Sequence, residues 1–129
     1  MALQTYRETK YCVAIRQAIG DKGHAINNEL LSLLRHEFPE LSATTIHRAT
    51  ARLAERREIG IAPSDKNGAI RYDALVKPHD HFNCSDCDRL CDAELIEKFL
   101  PLIKENIKDC SISGNIVVTG ICKDCSNEA

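Results

Sequence analysis

Apolar residues recur at helical spacing through the first sixty positions, and the spacing changes after them. Tyr11, Ile15, Ala18 and Ile19 mark a first helix that Gly20 is expected to stop. Ile26, Leu30, Leu33 and Leu34 mark a second, running to about Phe38, where Pro39 bars continuation. Ser42 stands at an N-cap position, and Ile46, Ala49 and Leu53 behind it form one narrow apolar stripe on a third helix, predicted to end at Gly60. Ile59 and Ile61 then precede Pro63-Ser64-Asp65-Lys66-Asn67-Gly68, in which Asn67-Gly68 is a strong hairpin turn signal, and Ala69–Tyr72 reads as the returning strand. Three short helices followed by a β-hairpin make the winged form of the helix-turn-helix, predicted over residues 1–73. Residues 74–78 read as a hinge. Residues 79–129 read as a small α/β domain, with strands at about 80–84, 89–92 and 115–121 and a helix at about 94–108. Pro101 falls inside that helix and requires a kink or a late start. The fold class expected is therefore α+β.

With 43% hydrophobic and 28% charged residues in 129, the chain has the balance of a globular protein. Aromatics are only 5% and Trp is absent, so the core must be aliphatic. No stretch approaches the ~18 apolar residues of a membrane span. Met1–Arg7 lacks the apolar run of a signal peptide, and the expected location is the cytoplasm. A net charge of −2 argues by itself against a nucleic-acid partner, but residues 1–62 balance at +2 and residues 63–129 at −4. The front half is where a phosphate backbone could dock.

Seven cysteines do not make a tidy disulfide framework, and in a reducing compartment clustered thiols point to metal or redox chemistry. Cys84-Ser85-Asp86-Cys87 and Cys122-Lys123-Asp124-Cys125 are two CxxC knuckles. Each can grip one side of a tetrahedral ion, and four thiolates suit a closed, structural zinc. Cys12 lies in the first helix pattern and reads as a packed thiol, while Cys91 and Cys110 receive no function. His79 and His81 would share one face of a strand. Surface histidines and a second metal both explain that pair, and Asp73 and Asp92 favour the metal. A His/carboxylate set is harder than a thiolate set and suits Fe(II), Mn(II) or Zn(II).

The third helix carries Thr44, His47, Arg48, Ala51 and Arg52 opposite its apolar stripe, with Arg56 at the flank. A solvated face explains such a pattern, and Glu55 and Glu58 dilute its charge. Its place, third and just before a wing, is that of the helix presented to the major groove, where Arg48 or Arg52 could pair with guanine.

The chain resembles the ferric uptake regulator family of metal-dependent transcription regulators. Phe38-Pro39-Glu40-Leu41-Ser42, with Thr45-Ile46-His47-Arg48 and Leu53, is similar to the family's recognition-helix signature. His79-Asp80-His81-Phe82-Asn83-Cys84-Ser85-Asp86-Cys87 resembles its metal signature, and Gly120-Ile121-Cys122-Lys123-Asp124-Cys125 its closing knuckle. The resemblance implies a winged-helix domain, a hinge and an α/β dimerisation domain, with a regulatory metal held by His24, Asp73, His79, His81 and Asp92. Asp at both 73 and 92 resembles the peroxide-sensing branch, whereas Arg48 is as in the iron-uptake branch. His47 stands where the family usually has Tyr, and Thr44 and Thr50 replace small or aliphatic residues. A further metal site of some members needs histidines where this chain has Pro78 and Gly114, so its absence is expected, although Asp80 and Glu97 remain.

The resemblance thus implies a homodimeric repressor that binds a double-stranded DNA operator. Zn2+ would be structural and Fe2+ or Mn2+ regulatory, with Zn2+ an alternative there and peroxide sensed through iron. No small organic substrate and no membrane partner are expected. A metalloenzyme using His79, His81 and a carboxylate is the weaker rival, because no separate general base or substrate cleft is evident and catalytic metals need an open position. A zinc-stapled interaction module that does not bind DNA is the second rival.

Overall fold

Helix α1 (Lys10–Lys22) opens where Thr9 Oγ1 accepts a hydrogen bond from Cys12 N at 3.2 Å. The computed structural model describes residues 9–126; the segment on which the reading of the N-terminus rests, residues 1–8, lies outside the described residues, as do 127–129. The helix does not stop at Gly20. Gly20 is an exposed interior position costing about 1 kcal/mol against alanine, and α1 buries Cys12, Ile15, Ala18 and Ile19 on its other side. The stop is Gly23, at φ +85°, whose N–H donates to Ile19 O at 2.7 Å. A positive φ there favours glycine.

Strand β1 (His24–Ile26) follows at once. Helix α2 (Asn27–Leu34) has no capping side chain at Ile26, but Glu29 Oε1 accepts from Ile26 N at 3.0 Å. It ends at Leu34, short of Phe38, and the chain leaves through turns in which Phe38 N donates to Leu34 O. Helix α3 (Ala43–Glu55) is capped by Ser42, whose Oγ accepts from Thr45 N at 3.2 Å. It ends before Gly60, because Arg57 takes φ +59° and Glu58 N turns back to Leu53 O. The three helices close on Ile15, Ile19, Leu30, Leu34, Leu41, Ile46 and Leu53, with Ala25, Ile59 and Tyr72 packed beneath them. The core is aliphatic, as the composition requires.

Strands β2 (Gly60–Ala62) and β3 (Arg71–Asp73) form the wing, and β3 lies between β1 and β2, antiparallel to both. Arg71 braces the wing from inside, donating to Pro63 O at 2.7 Å and Ser64 O at 3.0 Å. At the tip, Gly68 has φ +85° and its N–H closes on Asp65 O. Gly60 has no room for a side chain, since a Cβ would run into the Leu75 carbonyl.

Contacts divide the chain into two units: residues up to 64 with 69–76, and residues 65–68 with those from 77 onward. In the second unit β4 (Asp80–Cys84) is central, antiparallel to β5 (Leu90–Ala93) and parallel to β6 (Val117–Gly120). A parallel pair needs a crossover, and helix α4 (Ile96–Asn106) supplies it; the short α5 (Lys123–Ser126) closes the unit. Pro101 lies within α4, neither delaying its start nor ending it. The hydrogen bond it forgoes is to the carbonyl of Glu97, an exposed position where water can serve.

Asp80 ties the second unit together. Its Oδ2 accepts from Leu95 N at 2.6 Å and Ile96 N at 2.8 Å, at the start of α4, and its Oδ1 from Ile116 N at 2.8 Å. These backbone donors, Ile116 first, hold its carboxyl below the usual range.

Leu53 is fully buried in the helical core. Leu53→Ala should lower unfolding free energy by about 2–5 kcal/mol, measured as a shift of the urea midpoint without change of slope.

Candidate metal centres and recognition helix

The four knuckle cysteines come together. Cys84 ends β4, Cys87 follows in the turn before β5, Cys122 follows β6 and Cys125 lies in α5. Their sulfurs lie within 4.8 Å of one another. Cys87 Sγ and Cys122 Sγ are 3.7 Å apart, far beyond a disulfide bond of about 2.05 Å. A tetrahedron with ~2.3 Å zinc–sulfur arms has edges of about 3.8 Å, so the spacing is that of ligands around one ion.

Electrostatics point the same way. Cys84 is pushed down to about 6 by backbone N–H groups of Cys87 and Cys122, whose nitrogens lie 3.5 and 3.3 Å from its sulfur. Cys122 is lowered as well, first by the N–H of Cys125. Cys125 is driven up by its hydrogen bonds to Cys87 and Cys122. Two of these sulfurs favour the thiolate while the other two, Cys87 and Cys125, resist it; a divalent cation lets all four ionise together.

A second donor set lies on β4, on His79 just before it, and on β5. His81 pairs in register with Asp92, and Asp92 Oδ1 is 3.4 Å from His81 Nε2 and 3.1 Å from His79 Nε2. The rings stand 4.3 Å apart between centroids. His79 Nδ1 is 2.8 Å from the Lys77 carbonyl. A carbonyl only accepts, so Nδ1 carries a proton. Nε2 then faces a carboxylate oxygen at 3.1 Å, a contact that either a second ring proton or a cation held by both atoms makes favourable. Histidine ligands are oriented in this way, by giving their other N–H to a carbonyl.

In the first unit, β1 and β3 set His24 opposite Asp73. His24 Nε2 lies 3.4 Å from Asp73 Oδ2, and Asp73 Oδ1 accepts from Leu75 N at 2.9 Å. Asp73 is buried and His24 half-buried. Asp80, left over from the sequence, has backbone N–H groups on both oxygens.

On α3, Thr44, His47, Arg48 and Arg52 are all exposed. Thr50 is buried without penalty to packing, since its Oγ1 donates to Ile46 O at 2.9 Å. Glu58 is drawn to Arg16 at 3.1 Å and Arg56 at 3.2 Å. Asn27, on which no sequence signal fell, puts its Nδ2 3.2 Å from His47 Nδ1. Cys12 is buried in the helical core, Cys91 is half-buried and Cys110 exposed.

Zinc held by the four cysteines would be part of the folding free energy of the second unit. Cys84→Ser should lower zinc from about one per chain, by elemental analysis, and reduce far-UV ellipticity. A variant that kept both would show that Cys84 is no ligand.

The model of the ferric uptake regulator family matches residues 6–113, which take in α1–α4 and the first knuckle. The chain is 23% identical over 118 residues to the peroxide-responsive repressor PerR of Staphylococcus aureus, covering 88% of this chain and 78% of that protein. Its fold is that of the Francisella tularensis ferric uptake regulator solved with iron, at TM-score 0.79 and 19% identity over 98% of this chain and 99% of the other. It also matches a zinc uptake regulator solved with zinc and DNA, at TM-score 0.63 and 18% identity over 95% of this chain and 85% of the other. Among the described residues no helix is long and apolar enough to cross a membrane. With most of its length under the family model and winged-helix and knuckle folds in place, the chain belongs to the ferric uptake regulator family, whose members are metal-sensing transcriptional regulators.

Proposed function

We propose that this protein is a cytoplasmic, homodimeric repressor whose hold on a DNA operator depends on a regulatory divalent metal, and that it is not an enzyme. The observation that carries this reading is the convergence of His79, His81 and Asp92, with the His79 proton committed to Lys77 O. His24 and Asp73 would complete the set from the winged-helix unit. Five nitrogen and oxygen donors suit Fe(II) or Mn(II) better than tetrahedral zinc. When bound, the ion supplies the positive charge that lets these acceptors share one point. The five side chains then fix the winged-helix domain (1–73) against the dimerisation domain (79–129) across the hinge at 74–78, at the separation a palindromic operator needs. Cys84, Cys87, Cys122 and Cys125 serve structure alone.

Exposed Phe99, Leu102, Ile107, Val117, Val118 and Ile121 on α4, β6 and their ends support the dimer, since they all come from the unit that buries no aliphatic side chain among its described residues. Thr44, His47, Arg48 and Arg52 meet the DNA. The S. aureus relatives are named for peroxide response; together with Asp at 73 and 92, this supports iron as the occupant and peroxide as its signal.

Asp92→Ala should abolish metal-dependent operator binding in a mobility-shift assay with Mn(II), while zinc content and dimer mass stay those of the parent. A variant that still responds to Mn(II) as the parent does would place the sensor elsewhere. Arg48→Ala should weaken specific binding by about 1–3 kcal/mol and relax selectivity at one base pair. Arg52→Ala should weaken all sequences alike and flatten the salt dependence.

A further inference from the structure

We infer that Asn27 makes His47 a fixed hydrogen-bond donor on the recognition helix, and that His47 thereby selects a guanine edge in the operator. The inference rests on the DNA reading above and names the base class that one residue would read.

Asn27 is the first residue of α2 and His47 lies one turn into α3. The Asn27 Nδ2 faces His47 Nδ1 at 3.2 Å. An amide nitrogen donates and does not accept. His47 Nδ1 must therefore be the acceptor, which puts the ring proton on Nε2. The same contact holds the ring's orientation, so that Nε2–H is the edge left for a ligand. His47 is exposed, and a cavity of about 210 Å³ opens beside the pair, lined also by Ile26, Ala69, Ile70 and Tyr72. The side chain thus stands at the rim of a space, held by its inner nitrogen and open at its outer one.

A lone donor on a groove-facing helix discriminates by what it meets. Guanine offers two adjacent acceptors, N7 and O6, in the major groove; thymine offers O4 alone beside its methyl group, adenine offers N7 beside an amino donor, and cytosine offers only its N4 amino donor. A fixed Nε2–H therefore favours guanine most and is repelled by cytosine. Without the Asn27 contact the imidazole can turn and present either nitrogen, and the preference is lost although the histidine remains. Asn27 is thus a positioning residue, and the histidine is the reader.

The test uses the full-length zinc-loaded dimer with Mn(II). Selection from a random duplex library should give parent sites with one base pair strongly biased to guanine, by about tenfold. That bias should fade in both His47→Ala and Asn27→Ala. Replacing the selected guanine by 7-deazaguanine, which lacks N7, should weaken the parent and leave Asn27→Ala almost unmoved. Long-range proton–nitrogen correlation on labelled protein should show the parent His47 protonated on Nε2, with Nδ1 as acceptor. A proton on Nδ1, or a guanine bias that survives Asn27→Ala, overturns the inference. If the parent selects no sequence at all, the DNA reading fails, and this inference with it. Parent sites whose bias is untouched by His47→Ala leave the DNA reading standing and remove this inference alone.

Discussion

The second unit has no aliphatic core among its described residues, and much of its construction follows from that. Among its described residues the buried side chains are Asp80, His81, Cys84 and Cys122: two cysteines, a carboxylate and an imidazole. Apolar burial at about 25 cal/mol per Å² is the usual source of stability, and here the apolar side chains of α4 and β6 face outward. What holds the sheet is convergence of polar donors instead. Four sulfurs meet at one end of β4, and three backbone N–H groups meet on Asp80 at the other. A small sheet built this way depends on such a staple for its stability.

The first unit is the opposite case. Its helices bury Ile15, Ile19, Leu30, Ile46 and Leu53 completely, and its short strands pair around β3. It can leave α3's outer face exposed and charged because α3's inner face is fully used. Two interior polar groups there are satisfied locally: Thr50 on Ile46 O, Arg71 on the Pro63 and Ser64 carbonyls. A rigid helix with a free outer face is what base recognition requires, since side chains must be presented without reorganising the backbone.

The amino-acid sequence made some of this visible and hid the rest for physical reasons. The cysteine knuckles were legible because two tight turns write their spacing into the chain. His79 and His81 were legible because alternation on a strand has a period of two. The winged helix was legible from three apolar stripes and Asn67-Gly68. Helix ends were not: Gly20 and Gly60 both looked like stops, yet the backbone turned at Gly23 and at Arg57, where positive φ was adopted. His24 was reachable only through resemblance, since β1 is three residues long and its pairing to β3 joins positions far apart in sequence. Asn27 gave no signal, and Asp80 was marked only as a leftover metal position and not as a clamp, because each acts on partners distant along the chain.

The alternation along β4 explains how one short strand serves several purposes. His79 and His81 point one way and share Asp92 Oδ1. Asp80, between them, points the other way and holds the start of α4 and the residue before β6. Cys84, at the strand's end, enters the sulfur cluster. A shift of β4 by one residue would turn the histidines away from Asp92 and carry Asp80 off its donors at once. The clamp on Asp80 therefore fixes the register that keeps the two imidazoles on a common acceptor. It does so through the same backbone that begins α4, the helix that presents Phe99 and Leu102 to the outside. Donor geometry on one face of the strand and placement of the apolar face on the other are set by a single register, so neither can change without the other.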